Sequence, residues 1–376
     1  MRILVTVGNW KRTGPVEPAL DLAVALAGRG HDVRVHTGVV PPHAEPWNTA
    51  AQAATDRGLA HAPGRPRLAK HGAPWRDLLD ARRLRASLKL WRPDVVLTTL
   101  RGDHRLAVRA ARGDVPVARL LFAGPAARFD GRDRRALRGT AAVFTFAEGL
   151  SDLLAPQGVD RARVHVIEPP LDVARLRALA ASGGAPRARY GVPSDVPLFG
   201  IVARHQRHRR FDLLWDALKQ LREAGRTFRF AVPGRGTASA EVVGDPIARL
   251  GLAEHVIQPG YVVGAAYASL LAAWDGFVFL VPGSDPTCRA LREAMALGVP
   301  PVVTSRGLLP SYVEDGVVGR VLPEETPQAL AAVLGAWIDD VVERRRLGAA
   351  AAELAARRFD ARHVAARVEG VLEELR

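Results

Sequence analysis

Short apolar segments alternate with helical ones along nearly the whole chain, and no other feature limits its fold as strongly. In the first half the strands read Arg2 to Val7, Val33 to Thr37, Asp94 to Thr98, Val115 to Leu121, Ala142 to Phe146 and Val164 to Ile167. Helices are expected from about Val16 to Gly28 and from Trp75 to Trp91. The second half repeats the alternation, with strands at Leu198 to Val202, Phe228 to Val232, Val256 to Gln258, Phe277 to Leu280, Pro301 to Thr304 and Gly319 to Leu322, then an Ala-rich helical tail from about Pro327. Apolar strands separated by helices build parallel sheets covered on both faces. At 376 residues the chain has room for two such domains. The Gly/Pro/Ala stretch Ala181 to Pro186 predicts the joint between them. The expectation is an α/β chain with doubly wound domains over residues 1–180 and 181–360, and a C-terminal helix, 361–376, packing back on the first.

The single cysteine, Cys288, cannot form an internal disulfide, and no Cys/His cluster has metal-ligand spacing. MRILVTVGNW reads as a strand entering a polar loop rather than a leader, and no apolar run approaches the ~20 residues that span a bilayer. A cytoplasmic protein is expected, with peripheral contact to the inner face of the membrane as a variant. The net charge of +14 is uneven: residues 1–180 hold 29 Lys and Arg against 17 Asp and Glu, and residues 181–376 hold 24 against 22. A basic half fits nucleic acid, an anionic membrane surface or an acidic substrate, while the dominance of Arg fits GC-rich coding equally well. No nucleic-acid-binding motif is present, so that partner is not expected.

One βαβ unit carries the chemistry. Strand Phe277 to Leu280 enters a Gly/Pro loop, a helix is expected to open at Asp285-Pro286, and a strand follows Gly298-Val299-Pro300. In a parallel sheet ligands sit beyond the carboxyl ends of the strands, where this loop and helix start lie. Asp285 and Glu293 stand eight residues apart. Asp285 followed by Pro286 also suits a plain N-cap with a first-turn proline, and Arg289 and Glu293 also suit an i,i+4 surface pair worth about 0.3 kcal/mol.

The Asp285–Glu293 step resembles the E-x7-E signature of retaining GT-B glycosyltransferases of family 4, read here as D-x7-E. Other blocks follow in order. Phe199 to Leu214 looks like the family's vGRl…KGfdlL segment, which places Arg204 on its Arg and Arg209 on its Lys. Val232-Pro233-Gly234-Arg235-Gly236 resembles its vGxGp turn, Gln258 to Val262 its nucleobase-reading segment, and Ala273 to Leu280 and Leu309 to Gly319 the remaining blocks. The resemblance implies a GT-B fold, two Rossmann-like domains facing each other across a cleft. It implies a nucleotide-diphosphate sugar as donor, retention of configuration, and neither metal nor cofactor. In that reading Arg204, Arg209 and Asp285 are catalytic, and Gly14, Gly234, Tyr261, Val262, Cys288, Arg289 and Glu293 bind the donor. Fixed cations suit this chemistry because negative charge grows on the departing phosphate. A nucleotide-sugar epimerase of the same fold and a binding-only pseudoenzyme stay open as alternatives.

The departures from the family pattern are local. Asp285 is one methylene shorter than the usual Glu. Cys288 stands where the family has the Gly of its FG pair, and reads either as a packed thiol or as one activated at a helix N-terminus. Only Gly14 matches the two glycines of the first loop, and about Phe122 replaces a histidine often found after the fourth strand. The N-terminal domain is implied to hold the acceptor, with Arg101, Asp103 and His104 of a polar strand-end loop as candidates; a solvated His is the alternative for His104. The basic helix Trp75 to Trp91 reads either as packing on the sheet or as lying on an anionic bilayer. An anionic or membrane-surface acceptor is favoured over a neutral one.

Overall fold

The computed structural model describes residues 1–12, 14–44, 47–64, 66–68, 74–124, 127–282 and 287–376. They form two compact units, Met1–Asp172 with Phe359–Arg376, and Val173–Arg358.

The first unit is built on a parallel sheet of β1 (Arg2–Val7), β2 (Asp32–Thr37), β3 (Ala60–His61), β4 (Val95–Thr98), β5 (Val117–Leu120), β6 (Ala142–Thr145) and β7 (Val164–Val166), in the spatial order β3-β2-β1-β4-β5-β6-β7. Alternation sends successive side chains to opposite faces. Ile3, Val5 and Val7 therefore join the helices Val16–Gly28 and Ala361–Glu374 in one core, while Leu4 joins the helices Pro74–Trp91 and Arg101–Ala111 in the other. Leu20, Leu22 and Leu26 of the first helix are fully buried, each worth roughly 1.5–3 kcal/mol.

The second unit repeats the plan with β8 (Leu198–Gly200), β9 (Arg229–Ala231), β10 (Val256–Ile257), β11 (Gly276–Phe279), β12 (Pro301–Val303) and β13 (Arg320–Val321), ordered β10-β9-β8-β11-β12-β13 and all parallel. In both sheets the order reverses beside the first strand, at β1/β4 and at β8/β11. Such switch points open a crevice at the carboxyl ends of the strands.

The expected joint needs correcting. The units divide at 172/173 and 358/359, and the segment 181–186 lies inside the second unit. There it is a helix–helix contact. Ser269 Oγ of the helix Gly264–Ala272 donates to Gly183 O at 3.1 Å, and a Cβ on Gly183 would stand 2.2 Å from Ala265 O, so only glycine allows the approach. The helical tail is three helices, Pro327–Asp339, Val341–Phe359 and Ala361–Glu374. The last belongs to the first unit: Val364, Val368 and Leu372 enter its core, and His31 Nε2 lies 2.7 Å from Glu369 Oε1.

Candidate functional site

At the β8/β11 switch point the loop after β8 carries Arg204 and Arg209. Arg209 is only 7% exposed; its Nη1 donates to the carbonyls of Val281 (3.3 Å) and Pro282 (2.8 Å) in the loop after β11. Its Nε is buried without a hydrogen-bond partner among the described residues. Burial lowers the pKa of this guanidinium, the like charge of Arg204 lowers it further, and the Cys288 thiol acts the other way. Arg204 is exposed. A buried cation with a spare donor beside a second cation is an environment that an anion relieves.

The helix after this loop spans Arg289–Ala296, so it opens later than Asp285-Pro286, and its N-cap is Cys288. Asp285 lies outside the described residues. Cys288 is buried and left-handed, with φ 50° and ψ 52°. That conformation explains why a glycine is usual there, since a Cβ is strained at positive φ. Arg210, at the Gly of the KG pair, is likewise left-handed at φ 57°. Both glycine positions of the resemblance thus keep the glycine backbone with a side chain added.

Glu293 is not a surface residue: it is 6% exposed, and neighbouring Arg292 is fully buried. Both carboxylate oxygens of Glu293 are held. Arg289 Nε lies 3.0 Å from Oε1, and Tyr267 Oη donates to Oε2 at 2.7 Å. Burial raises the Tyr267 pKa well above its ordinary value and the Glu293 charge raises it further, so the phenol stays a donor. Tyr267 carried no sequence signal, since it lies on the helix Gly264–Ala272 in another part of the chain. Arg292 folds back on Thr287, donating to its carbonyl at 2.8 Å and its hydroxyl at 3.1 Å, which ties the loop end to the helix.

The glycines after β9 serve loop packing. A Cβ on Gly234 would come 2.4 Å from Ala203 O and 2.7 Å from His205 Nε2, and one on Gly236 would come 2.1 Å from His205 O. His205 was missed in the sequence. Ser239 Oγ gives its hydrogen to Gly236 O (2.8 Å), so His205 Nδ1 donates to Ser239 Oγ (3.0 Å) and Nε2 is a buried acceptor with no partner among the described residues. Burial lowers the His205 pKa, which keeps the ring neutral. Tyr261 is exposed with the Arg235 guanidinium 3.9 Å from its ring centre, and Val262 is half-buried.

In the first unit the expected polar loop is a helix, Arg101–Ala111, and two acceptor candidates prove to be interior groups. Asp103 has no exposed surface. It accepts hydrogen bonds from Thr6 Oγ1 (2.9 Å), Thr99 N (2.9 Å) and Leu100 N (2.8 Å), and a Cβ on Gly8 would stand 2.6 Å from its Oδ1. The Asp103 carboxylate therefore fills the β1/β4 switch point. His104 is sealed between Thr98 Oγ1 (2.9 Å) and Thr140 Oγ1 (3.1 Å), and burial drives its pKa well down. Neither side chain is solvated or open to an acceptor, because the helix turns both inward. Arg101 is exposed and donates to Arg128 O at 2.7 Å. Gly14 is half-buried in the turn before the helix Val16–Gly28. Phe122, in the place of the histidine, packs on Phe146 with ring centres 4.8 Å apart.

Residues 16–175 match the family described as Glycosyltransferase Family 4, and residues 185–354 match Glycosyl transferases group 1. The chain is 32% identical over 256 residues to the D-inositol 3-phosphate glycosyltransferase of Xylanimonas cellulosilytica, covering 66% of this chain and 58% of that protein. It is 28% identical over 203 residues to the 2-deoxystreptamine glucosyltransferase of Streptomyces kanamyceticus, covering 53% and 49%. The chain thus spans about half the length of these curated relatives. Among solved structures it superposes on Anabaena HepE in complex with UDP with a TM-score of 0.79, at 18% identity, over 100% of each chain.

Proposed function

We propose that this chain is a glycosyltransferase of the GT-B type, a reading supported by its two family matches and its fold, and that it transfers a sugar from a nucleoside-diphosphate sugar to an acceptor hydroxyl with retention at the anomeric carbon. One observation carries the reading. A buried, doubly held carboxylate, Glu293, stands on the helix that follows β11, and a buried cation, Arg209, with one donor unpartnered among the described residues, grips the loop after the same strand. Glu293 suits the hydroxyls of the donor ribose, and Arg204 and Arg209 suit its diphosphate. The bond from the anomeric carbon to the diphosphate oxygen breaks, the acceptor oxygen bonds that carbon on the vacated face, and the acceptor proton passes to the departing phosphate. Both arginines act most strongly as charge develops on that phosphate. Asp285 contacts the donor sugar, Arg289 adds a third cation at the diphosphate, and no metal or cofactor takes part.

The relatives named above act, by their names, on inositol 3-phosphate and on 2-deoxystreptamine, both hydroxylated six-membered carbocycles. A cyclitol, anionic or presented at a membrane surface, is therefore the acceptor class of this reading, and the basic charge of the first half supports the anionic form. UDP-glucose, bound in a neighbouring fold, is the first donor to try. The test is calorimetry with nucleoside diphosphates, then transfer from the best-bound donor to inositol phosphates and neutral cyclitols. Transfer with an α-linkage from an α-donor supports the proposal. Free nucleotide with an epimerised sugar and no acceptor, or donor binding without turnover, overturns it.

A further inference from the structure

We propose that the outer face of the helix Pro74–Trp91 is a docking surface for an anionic lipid bilayer; this deepens the membrane-surface reading above and rests on it. The helix packs inward through Ala81, Leu84, Leu88 and Trp91, which is what ordinary packing on the sheet requires. Its outward face is nevertheless apolar along its middle. Trp75 is 62% exposed, Leu79 44% and Leu90 72%, and Ala86 is exposed between them. With 3.6 residues per turn these four fall within roughly 60° of arc, one stripe along the helix. Leu78 widens the stripe near its start.

Cations flank the stripe on both sides. Arg82 and Lys89 lie on one edge, Arg76 and Arg83 on the other, and all four are exposed. The Arg76 guanidinium sits 4.9 Å from the Trp75 ring centre. The two acids of the helix do not answer this charge outward. Asp80 is buried, accepting from Leu68 N at 2.8 Å, and Asp77 is only half-exposed. Arg85 points away from the stripe and is engaged by Ala110 O at 2.9 Å and Asp114 at 3.0 Å.

Charge selects the occupant. A central apolar strip with basic margins matches an acyl boundary below anionic headgroups, where Trp and Leu insert and Arg and Lys meet phosphate. A second copy of the same face would oppose cations to cations. The helix is no candidate to cross the membrane, since no described helix is long and apolar enough.

The test is cosedimentation of the full chain with vesicles of pure phosphatidylcholine and with vesicles containing phosphatidylglycerol, at low and physiological salt. Binding to the anionic vesicles only, weakened by salt, is expected. Trp75→Ser with Leu79→Ser should lower the partition at least roughly tenfold, and Arg82→Glu with Arg83→Glu roughly fivefold or more per residue. All four side chains are at the surface, and nucleoside-diphosphate affinity measured on the same samples reports that each variant is folded. Equal binding to neutral vesicles, no binding with nucleotide affinity intact, or a concentration-dependent dimer lost in Trp75→Ser would overturn the docking surface. Vesicle binding by a protein that transfers no sugar supports the surface and counts against the enzymatic reading alone.

Discussion

The Tyr267 hydroxyl donates a 2.7 Å hydrogen bond to Glu293 Oε2 across 26 residues of sequence, and Arg289 holds the other oxygen. The carboxylate is therefore oriented before any ligand arrives, and a ligand does not have to order it. Glu293→Ala is expected to weaken nucleoside-diphosphate binding by roughly 1–3 kcal/mol, and Tyr267→Phe by about 1 kcal/mol. Titration calorimetry decides, and unchanged affinity in Glu293→Ala removes the ribose assignment.

Arg204→Ala and Arg209→Ala should depress kcat more than donor affinity, since the charge they meet develops during departure of the phosphate. An effect on affinity alone would make them ground-state anchors. Arg209→Lys is expected to recover little, because an ammonium carries all its donors on one atom and cannot hold the Val281 and Pro282 carbonyls from the Nη1 position while presenting a donor at the Nε position.

Activity is expected to survive EDTA, with two arginines and a helix start serving the diphosphate. A strict requirement for Mg²⁺ or Mn²⁺ would refute this account of the leaving group.

The left-handed backbone at Cys288 makes a stability prediction. Cys288→Gly relieves strain of roughly 1–2 kcal/mol while removing a buried thiol, so its unfolding free energy should stay within about 1 kcal/mol of the parent. Cys288→Val should lose more than about 2 kcal/mol, as a β-branched side chain fits this conformation worse. Denaturant melts of the two variants check the order. A glycine variant as unstable as the valine one would show that packing, not backbone, rules the site.

His36 of β2 gives a pH dependence. Ser87 Oγ spends its hydrogen on Pro63 O at 2.6 Å, so His36 Nε2 donates to Ser87 at 2.8 Å, and burial, aided by His61, lowers its pKa to about 4. A base depressed in the folded state contributes stability that is full above pH 6.5 and is lost as the pH falls through 4, about 3 kcal/mol in all. His36→Gln keeps a donor toward Ser87 and should lose less stability between pH 7 and pH 4. Identical pH profiles would refute the assignment.

Much of the fold was legible because buried parallel strands are short, continuous apolar runs that stand out from their surroundings. Ala60–His61 was not, being two exposed residues at a sheet edge with no apolar signal. The blocks around Arg209 and Glu293 were legible as motifs, but their setting was not. Nothing near Glu293 announces Tyr267, and an Arg/Glu pair at i,i+4 reads as surface until neighbouring elements bury it. His104 misleads for the same reason: a polar stretch after a strand looks like a loop, while Thr98 and Thr140 turn it into interior.

The Asp103 carboxylate beneath Gly8 makes the repeated architecture unequal. Two sheets wound in the same order should each offer a crevice beside their first strand, yet in the first unit that seat is taken by a side chain held by two amides and a hydroxyl. Anything bound by that unit must lie above its strand ends, gripped by loops rather than cradled by the sheet. Loops change faster in evolution than sheets do, so a site built this way can change its guest without disturbing the sheet beneath it.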